Sequence, residues 1–412
     1  MAQAAHITGI DLGSSVVRVV VAQVASGSDV PIILGVGKVE MDGMQKGVVS
    51  DVDDAVKSVS AALDMAERVA GVPIDRAYVS INGSHISSQN SRGVIAVSRA
   101  DGEITEEDVD RVINAAQAVS LPSNREILHV LPQNFVVDGH EHIKDPVGMT
   151  GVRLEVETHM VDGSTPFIKN ITKVINQSGV HIEDFVFSPL AAATAVLDKK
   201  QKELGVVLVD LGAGTSSLIV YEENMLLDTA VLPLGSAHVT NDIAIGLRTS
   251  IEVAEQIKKQ YGTALAETVK KSESIMIDSE SEQDSVSRKE VADIISARLD
   301  EIYSFVDKEL KSIGRSGLLP AGVIFTGGGA SLPGVIELAK KKLRLPAKVG
   351  TIKPLEGLSE QAGDPAYAVV VGLILWAMEQ EKSTNRRRSR LHVPDIKVTV
   401  SRVRSWFKSF MP

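Results

Sequence analysis

Two stretches about two hundred residues apart repeat one β-β-β-α pattern, and that repeat constrains the fold of this 412-residue chain more than any other feature. In the first copy, apolar Ile7–Asp11 runs into the turn Gly13-Ser14-Ser15. β-branched Val16–Val24 follows, and then Ile32–Gly37 behind Pro31. A helical pattern begins near Ser50, with Val52, Val56, Val59, Leu63, Ala66 and Val69 at spacings of three and four. In the second copy, Val206–Asp210 runs into Gly212-Ala213-Gly214-Thr215. Strands are predicted over Ser217–Tyr221 and Met225–Leu232, and a helical pattern begins around Thr240. Both turns open on the same triplet, Asp11-Leu12-Gly13 and Asp210-Leu211-Gly212. The duplication predicts an α/β protein with two related halves.

Tight turns of glycine and serine between strands expose backbone N–H groups that can wrap a polyphosphate. Asp11 and Asp210 close their strands beside those turns, where a carboxylate can hold Mg2+ through its waters, because Mg2+ keeps most of its hydration. One such turn is an ordinary hairpin; two on duplicated units point to a shared cleft. Gly327, Gly328 and Gly329 follow the run Ile324-Phe325-Thr326, so a planar group can lie against bare backbone there, or a helix can cross closely. Glu255 and Lys258 lie three apart on the helix predicted over Ser250–Tyr261, placed either to flank a ligand or to form a surface ion pair.

Between the copies, Ser84–Val161 reads as an inserted subdomain. It has two strand-like stretches, a helix over Thr105–Val119 and a proline-punctuated stretch at Leu131-Pro132 and Asp145-Pro146. Ser272–Lys289 has few apolar residues and reads as an exposed loop. The uncharged run Ala366–Met378 is too short to span a bilayer. Behind Asp364 as N-cap and Pro365 it reads as a buried helix. Met1–His6 lacks the basic and long apolar regions of a signal peptide. The chain has no cysteine, which excludes thiol catalysis and Cys-ligated metal.

Charge divides the chain unevenly. The net charge is −10, yet from Thr384 to Pro412 eight Lys and Arg oppose Asp395 alone, so this tail carries +7 and the first 383 residues −17. An acidic body argues against a nucleic-acid binder. The tail begins as a flexible linker, polar and then basic through Arg386-Arg387-Arg388-Ser389-Arg390. From there Ile396, Val400, Val403, Phe407 and Phe410 recur at spacings of four and three. Trp406 and Met411 complete an apolar stripe about 140° wide, bordered by Lys397, Arg404 and Lys408 with Arg402 on the other side. Such a helix suits an in-plane membrane anchor, each basic residue near an anionic leaflet adding roughly 1 kcal/mol, or else a terminal helix docking onto protein.

These motifs resemble those of the actin, Hsp70 and sugar-kinase ATPase superfamily. The first phosphate motif matches Ile10-Asp11-Leu12-Gly13-Ser14-Ser15, the second Val209-Asp210-Leu211-Gly212-Ala213-Gly214-Thr215 and the adenosine motif Thr326-Gly327-Gly328-Gly329. Two connecting helices match Ser188-Pro189-Leu190-Ala191-Ala192-Ala193 and Asp364-Pro365-Ala366-Tyr367-Ala368. More narrowly, the chain resembles the FtsA family of bacterial cell-division actin homologues along nearly its full length. The specific signs are Lys46-Gly47-Val48-Val49-Ser50-Asp51, Ile81-Asn82-Gly83-Ser84-His85-Ile86, His129-Val130-Leu131-Pro132-Gln133 and Asp145 through Leu154.

The resemblance implies an actin-like ATPase fold, two lobes each built on an RNase H-like β-β-β-α unit, with ATP and Mg2+ in the cleft between them. It implies that Asp11, Gly13, Ser14, Ser15, Gly212, Gly214 and Thr215 contact the phosphates or their Mg2+, that Asp210 orders the metal waters, and that Glu255, Lys258, Gly327, Gly328 and Gly329 flank the adenosine. Arg18 stands where many relatives place a phosphate-contacting Lys; it keeps the charge without the point-like geometry. The implied division is subdomain 1A at 1–83, 162–203 and the closing helix 364–382, and the FtsA-type insertion 1C at 84–161. Subdomain 2A falls at 204–229 and 305–363, 2B at 230–304, a flexible basic linker at 383–395 and the membrane-targeting helix at 396–412.

The family further implies filament formation and capture of the C-terminal peptide of FtsZ on 2B. Arg298 and Glu301, in the helix predicted over Arg288–Leu310, are candidate contacts, or else plain solvent-facing charges. It implies peripheral attachment to the cytoplasmic face of the inner membrane at the Z ring, with anionic lipids and downstream division proteins as partners. Some superfamily relatives carry a carboxylate before the Pro of the first connecting helix that orients the attacking water. Ser188 stands there, so ATP binding with at most weak hydrolysis is predicted. Two other readings share the superfold: a metabolic kinase, which needs a carboxylate base in the cleft, and a PilM-like scaffold that binds a partner peptide.

Overall fold

The computed structural model describes residues 5–388 except 26, 27, 29, 119, 120 and 279–282, and in it the repeated pattern becomes two sheets of the same topology. In the first lobe β1 (Ala5–Leu12), β2 (Val16–Val24) and β3 (Ile32–Glu40) form an antiparallel meander. Helix α1 (Val52–Ala70) then returns the chain to β4 (Arg76–Ile81), parallel to β1. Asp51 caps α1 by accepting from the N–H groups of Asp53 and Asp54, and Ala55, Val59, Ala62, Leu63 and Ala66 bury the predicted apolar face.

The insertion follows as β5 (Ile86–Ala96), α2 (Glu106–Gln117), β6 (Arg125–Val137), β7 (His140–Ile143) and β8 (Arg153–Ser164). Its antiparallel sheet has the order β5-β8-β6-β7, and α2 packs on one face. Helix α3 (Thr165–Gln177) and β9 (His181–Phe187) complete the first lobe, and α4 (Ser188–Val196), buried along its whole length, leads toward the second.

In the second lobe β10 (Val206–Leu211), β11 (Ser216–Glu222) and β12 (Met225–Leu232) repeat the meander. After α5 (Ser236–Leu247) and α6 (Ile251–Tyr261) comes a hairpin, β13 (Ser274–Asp278) and β14 (Gln283–Ser287). Then follow α7 (Arg288–Ser312), β15 (Gly322–Thr326), α8 (Val335–Leu343) and β16 (Ala347–Val349). The strand order β3-β2-β1-β4-β9 in one lobe matches β12-β11-β10-β15-β16 in the other; a two-residue strand, Glu356–Gly357, extends the first sheet beyond β3. Helix α9 (Ala368–Arg388) comes back to pack on α4 and β1. The crossing is tight, since a Cβ on Gly372 would collide with the carbonyl of Ala191. One core runs through the first lobe, α4 and α9 into Leu208, Ile219 and Ile324 of the second sheet, so the lobes share a continuous apolar joint.

Several expectations need correction. Ser272–Lys289 is no open loop: β13 and β14 pair there, with Ile275 buried opposite Val286, a period-two pattern that the surrounding polar residues obscure. Leu131-Pro132, read from the sequence only as proline-punctuated, lies inside β6. The register shifts beside it, where Thr158 of β8 faces Pro132, because proline has no N–H to give the ladder. Helix α9 runs on to Arg388, into the stretch expected to be linker, and α7 extends two residues beyond Leu310. The chain from residue 389, with the anchor residues Ile396, Lys397, Val400, Val403, Arg404, Trp406, Phe407, Lys408 and Phe410, lies outside the described residues.

The insertion also touches the second lobe. Ser88 Oγ donates to Thr229 O at 2.8 Å, and Gln133 Nε2 donates to Leu226 O at 2.7 Å. His159 places Nε2 2.9 Å from Thr229 Oγ1 and Nδ1 2.7 Å from Asn90 Oδ1. These side chains satisfy polar groups along β12, the edge strand of its sheet.

Candidate functional site

The C-terminal ends of the parallel strands β1, β4, β10 and β15 converge on one cleft, the usual ligand position in an α/β sheet. The cleft holds about 400 Å3. Asp11, Gly13, Ser14, Ser15, Arg18, Asp210, Gly212, Gly214, Thr215, Glu255, Lys258, Gly327, Gly328 and Gly329 all line it, so the sequence-derived set comes together around one space.

The two Asp-Leu-Gly turns are built alike. A Cβ at Gly13 would stand 2.6 Å from Val16 O, and one at Gly212 would stand 2.8 Å from Thr215 O, so each turn closes too tightly for a side chain. The turns also approach each other: a Cβ at Gly214 would meet Ser14 Oγ at 2.7 Å. Each aspartate receives a hydroxyl from the neighbouring parallel strand. Ser80 Oγ donates to Asp11 Oδ1 at 2.8 Å, and Thr326 Oγ1 donates to Asp210 Oδ1 at 3.5 Å. Ser80 and Thr326 hold equivalent places in the two sheets, so the duplication reaches down to single hydrogen bonds.

The electrostatics are lopsided. Burial pushes the Asp11 carboxyl up, against the pull of Arg18 and Ser80. Burial pushes Asp210 up to about 7, with the charge of Asp11 adding to the rise. Across the strand pair, Asp11 faces Arg18 whereas Asp210 faces Ser217. Arg18 places NH1 3.9 Å from Asp11 Oδ2 and its guanidinium 5.3 Å from the Tyr367 ring centroid. Its Nε is enclosed and makes no hydrogen bond.

At the other end, Lys258 and Glu255 do form an ion pair, at 2.6 Å, and it faces the cleft. Lys258 Nζ donates to Thr240 Oγ1 at 2.8 Å, and Thr240 Oγ1 donates to Glu255 Oε2 at 2.5 Å. Burial draws Lys258 down from its ordinary value. Burial also opposes the Glu255 charge, but the bonds from Lys258 and Thr240 outweigh it and hold that carboxyl low. Gly327, with φ +81, packs where a Cβ would collide with Asp210 Oδ1, whereas Gly328 opens onto free space.

Ser188 lines the cleft at the start of α4 and is buried, its Oγ 3.5 Å from Ile81 O. The acids lining the cleft are Asp11, Asp210 and Glu255, and none stands at the Ser188 position. Arg298 and Glu301 lie on α7 away from this lining. Arg298 makes two bonds to Asp242, at 2.6 and 2.9 Å, and pairs with Glu301. Among the described residues no group of three His, Cys, Asp or Glu is placed to hold a metal. Sequence reasoning assigned no role to Ser80 or Ser217, because each reaches the site through strand pairing and no local spacing marks it; Tyr367 entered only as part of the connecting-helix motif.

Comparison with known proteins agrees with this architecture. The family model "SHS2 domain inserted in FTSA" matches residues 83–162, and "Cell division protein FtsA" matches residues 207–372. The chain is 39% identical to cell division protein FtsA of Bacillus subtilis over 92% of its length and 84% of that protein. Its identity to the Pseudomonas aeruginosa FtsA is 37%, over 91% and 90% of the two chains. For Escherichia coli K12 FtsA the figures are 33%, 98% and 97%. Among solved structures it is similar to the PilM-PilN type IV pilus biogenesis complex, with TM-score 0.65, 16% identity and 90% and 97% of the two chains covered. It is also similar to MreB 5 of Spiroplasma citri bound to AMPPNP, with TM-score 0.54, 12% identity and 93% and 98% covered. An actin-like ATPase fold, the FtsA-type insertion and these full-length relatives together mean that the chain belongs to the FtsA family of cell division proteins.

Proposed function

We propose that the cleft binds ATP with Mg2+ and that the protein is an actin-like cytoskeletal adaptor. It forms filaments and ties FtsZ to the cytoplasmic face of the inner membrane at the division septum. The observation that carries the nucleotide reading is the pair of matched turns, each with an aspartate whose charge is opposed by desolvation, facing one cleft with Arg18 beside Asp11. Ser14, Ser15, Gly212, Gly214 and Thr215 wrap the phosphates, Arg18 neutralises them, and Gly327 to Gly329 with the Glu255–Lys258 pair border the adenosine. Two carboxylates without a third fit a hydrated Mg2+, and both have their charge opposed by burial, which a cation relieves. When bound, Mg2+ neutralises charge on the phosphates. Asp11 and Asp210 accept from its waters, and Ser188 supplies no carboxylate to order an attacking water, so turnover is slow.

The carboxylate gap at Ser188 also counts against a metabolic kinase, since Asp11 and Asp210 are taken up by the phosphate turns and Glu255 by Lys258 and Thr240. Membrane attachment rests on the basic apolar stripe from Ile396; among the described residues no helix is long and apolar enough to cross a membrane. FtsZ capture rests on the family and on polar side chains such as Arg298 and Glu301 on α7. Cosedimentation of the full chain with anionic liposomes and purified FtsZ, with and without ATP, tests the whole reading. FtsZ is expected in the liposome pellet only with the full chain. Deleting Ile396–Pro412 is expected to abolish pelleting and leave nucleotide affinity unchanged; a tail-less protein that still pellets with vesicles refutes the anchor.

A further inference from the structure

The motif His129-Val130-Leu131-Pro132-Gln133 lies in β6, outside the cleft lining, yet it touches both lobes. On the first-lobe side, Phe187 N donates to His129 Nε2 at 2.9 Å, and Leu131 is buried in the first-lobe core. Phe187 is the N-cap of α4, and the next residue, Ser188, lines the cleft. On the second-lobe side, Gln133 Nε2 donates to Leu226 O at 2.7 Å and to Leu227 O at 3.1 Å. Carbonyl oxygens only accept, so both bonds require the amide NH2 to face β12.

Pro132 accounts for the aim of that side chain. In the pairing of β6 with β8, Pro132 faces Thr158 and Asn134 faces Glu157, so Gln133 has no partner on β8. A residue left over at such a bulge leaves the ladder, and its side chain is re-aimed. Proline favours the irregularity because it has no N–H to give. The strand that Gln133 reaches is itself built into the cleft. From β12 the chain runs through Gly235 to Ser236 and Ala237, whose N–H groups donate to Gly212 O at 2.8 Å and Ala213 O at 2.9 Å in the second phosphate turn. A Cβ on Gly235 would collide with both carbonyls, so the end of the strand and the turn are locked together.

The insertion is thus seated on the first lobe and bonded to the second, with Ser88 and His159 holding Thr229 on the same strand. Hydrogen bonds exchange with water at small net cost, so a joint made of them can open, whereas the apolar joint at α4 and α9 opens only by exposing its core. Contacts made in one arrangement of the lobes favour that arrangement, and this one brings both phosphate turns to a single space. Apparent affinity falls with the fraction of molecules in the arrangement that binds. We infer that Gln133, with Ser88 and His159, is a latch between the insertion and the second lobe that holds the cleft in its nucleotide-binding arrangement. This inference rests on the ATP reading above and extends it to the insertion. Gln133 is a positioning residue in this role, acting on the nucleotide through β12 and the second phosphate turn. The coupling is reciprocal, so bound nucleotide must also favour the closed latch.

Two measurements on the full chain test it: equilibrium titration with N-methylanthraniloyl ATP in Mg2+, and hydrogen exchange over Met225–Leu232. Gln133→Ala is expected to lower affinity at least fivefold. Gln133→Glu keeps the shape but turns an acceptor toward the Leu226 and Leu227 carbonyls, and is expected to lower affinity at least as far. Without nucleotide, exchange over Met225–Leu232 is expected to quicken at least fivefold in both variants, and saturating ATP to return it to within twofold of the liganded parent. Ser88→Ala, a milder change, is expected to move both readouts the same way by about twofold. Parental affinity in the Gln133 variants overturns the inference; if they fail to fold, parental affinity in Ser88→Ala does so. Faster exchange that saturating ATP leaves uncorrected also overturns it, because bonds that only steady β12 locally give that result. A parent protein that binds no nucleotide refutes the ATP reading itself, a result distinct from all of these.

Discussion

Asp11 and Asp210, one from each lobe, face the same cleft, where desolvation, helped by the charge of Asp11, holds the Asp210 carboxyl at about 7. Protonated Asp210 cannot serve a cation. Nucleotide affinity in Mg2+ is therefore expected to fall below pH 7, by up to about tenfold per pH unit, and affinity in EDTA to change much less. Asp210→Asn is expected to flatten the Mg2+ profile between pH 6 and 8. A parent profile with no pH dependence counts against Asp210 as a metal-side group.

The same shift has a stability sign in the ligand-free protein. The folded value of Asp210 lies above its ordinary carboxylate value of 3.8, so its contribution is fully present below that value and is lost as pH rises through about 7. Thermal melts in EDTA are expected to show Asp210→Asn above the parent at pH 8 and close to it near pH 4. Equal melting temperatures at pH 8 rule out a buried, unneutralised carboxylate.

Gly327 and Gly328 are adjacent and should respond in opposite ways. At Gly327 an alanine meets both a left-handed φ of +81 and the carboxylate of Asp210. Gly327→Ala is expected to cost about 1–3 kcal/mol of stability, read as a lower denaturation midpoint. At Gly328 a Cβ meets nothing, so Gly328→Ala is expected to change stability by less than about 0.5 kcal/mol. Its methyl instead enters the cleft, and nucleotide affinity is expected to fall about tenfold, the order of one obstructed contact.

His85 and His159 are buried and His129 half-buried, and desolvation holds each of them neutral, at about 4. Their folded values lie below the ordinary 6.5, so the stability they contribute is present above 6.5 and is lost as pH falls through about 4. His159→Gln can keep hydrogen bonds to Asn90 and Thr229 without the titration. The slope of stability against pH between 6 and 4 is expected to drop by about one proton, or roughly 1.4 kcal/mol per pH unit. An unchanged slope removes His159 from the acid response.

The duplicated turns, the repeated β-β-β-α unit and the glycine run were legible in the sequence because each depends on local pattern: an apolar run, an aspartate, a tight turn. What stayed hidden is non-local. Ser80 reaches Asp11 only because β4 adds parallel to β1 after an intervening helix, and the insertion meets β12 only through the arrangement of the lobes. Ile275 lay in a segment whose serines and acids masked a two-strand alternation. The Asn82 motif was visible as letters, but its place beside Ser217 depends on a pairing 135 residues apart.

Arg18 tests the asymmetry between the lobes. It lies opposite Asp11 in β2, whereas the matching place opposite Asp210 in β11 is Ser217, so one guanidinium acts on both carboxylates. Arg18→Ala removes a charge-assisted contact, and triphosphate affinity is expected to fall roughly tenfold to a hundredfold, following about 1.5–3 kcal/mol for a hydrogen bond to a charged group. Arg18 also lowers the Asp210 carboxyl, so its loss is expected to move the pH midpoint of Mg2+-dependent binding upward. Arg18→Lys keeps the charge but gives up the planar contact with Tyr367, and is expected to restore the pH midpoint more fully than the affinity. A variant series in which affinity falls while the midpoint stays fixed would separate phosphate binding from carboxylate tuning and leave Arg18 only the first role.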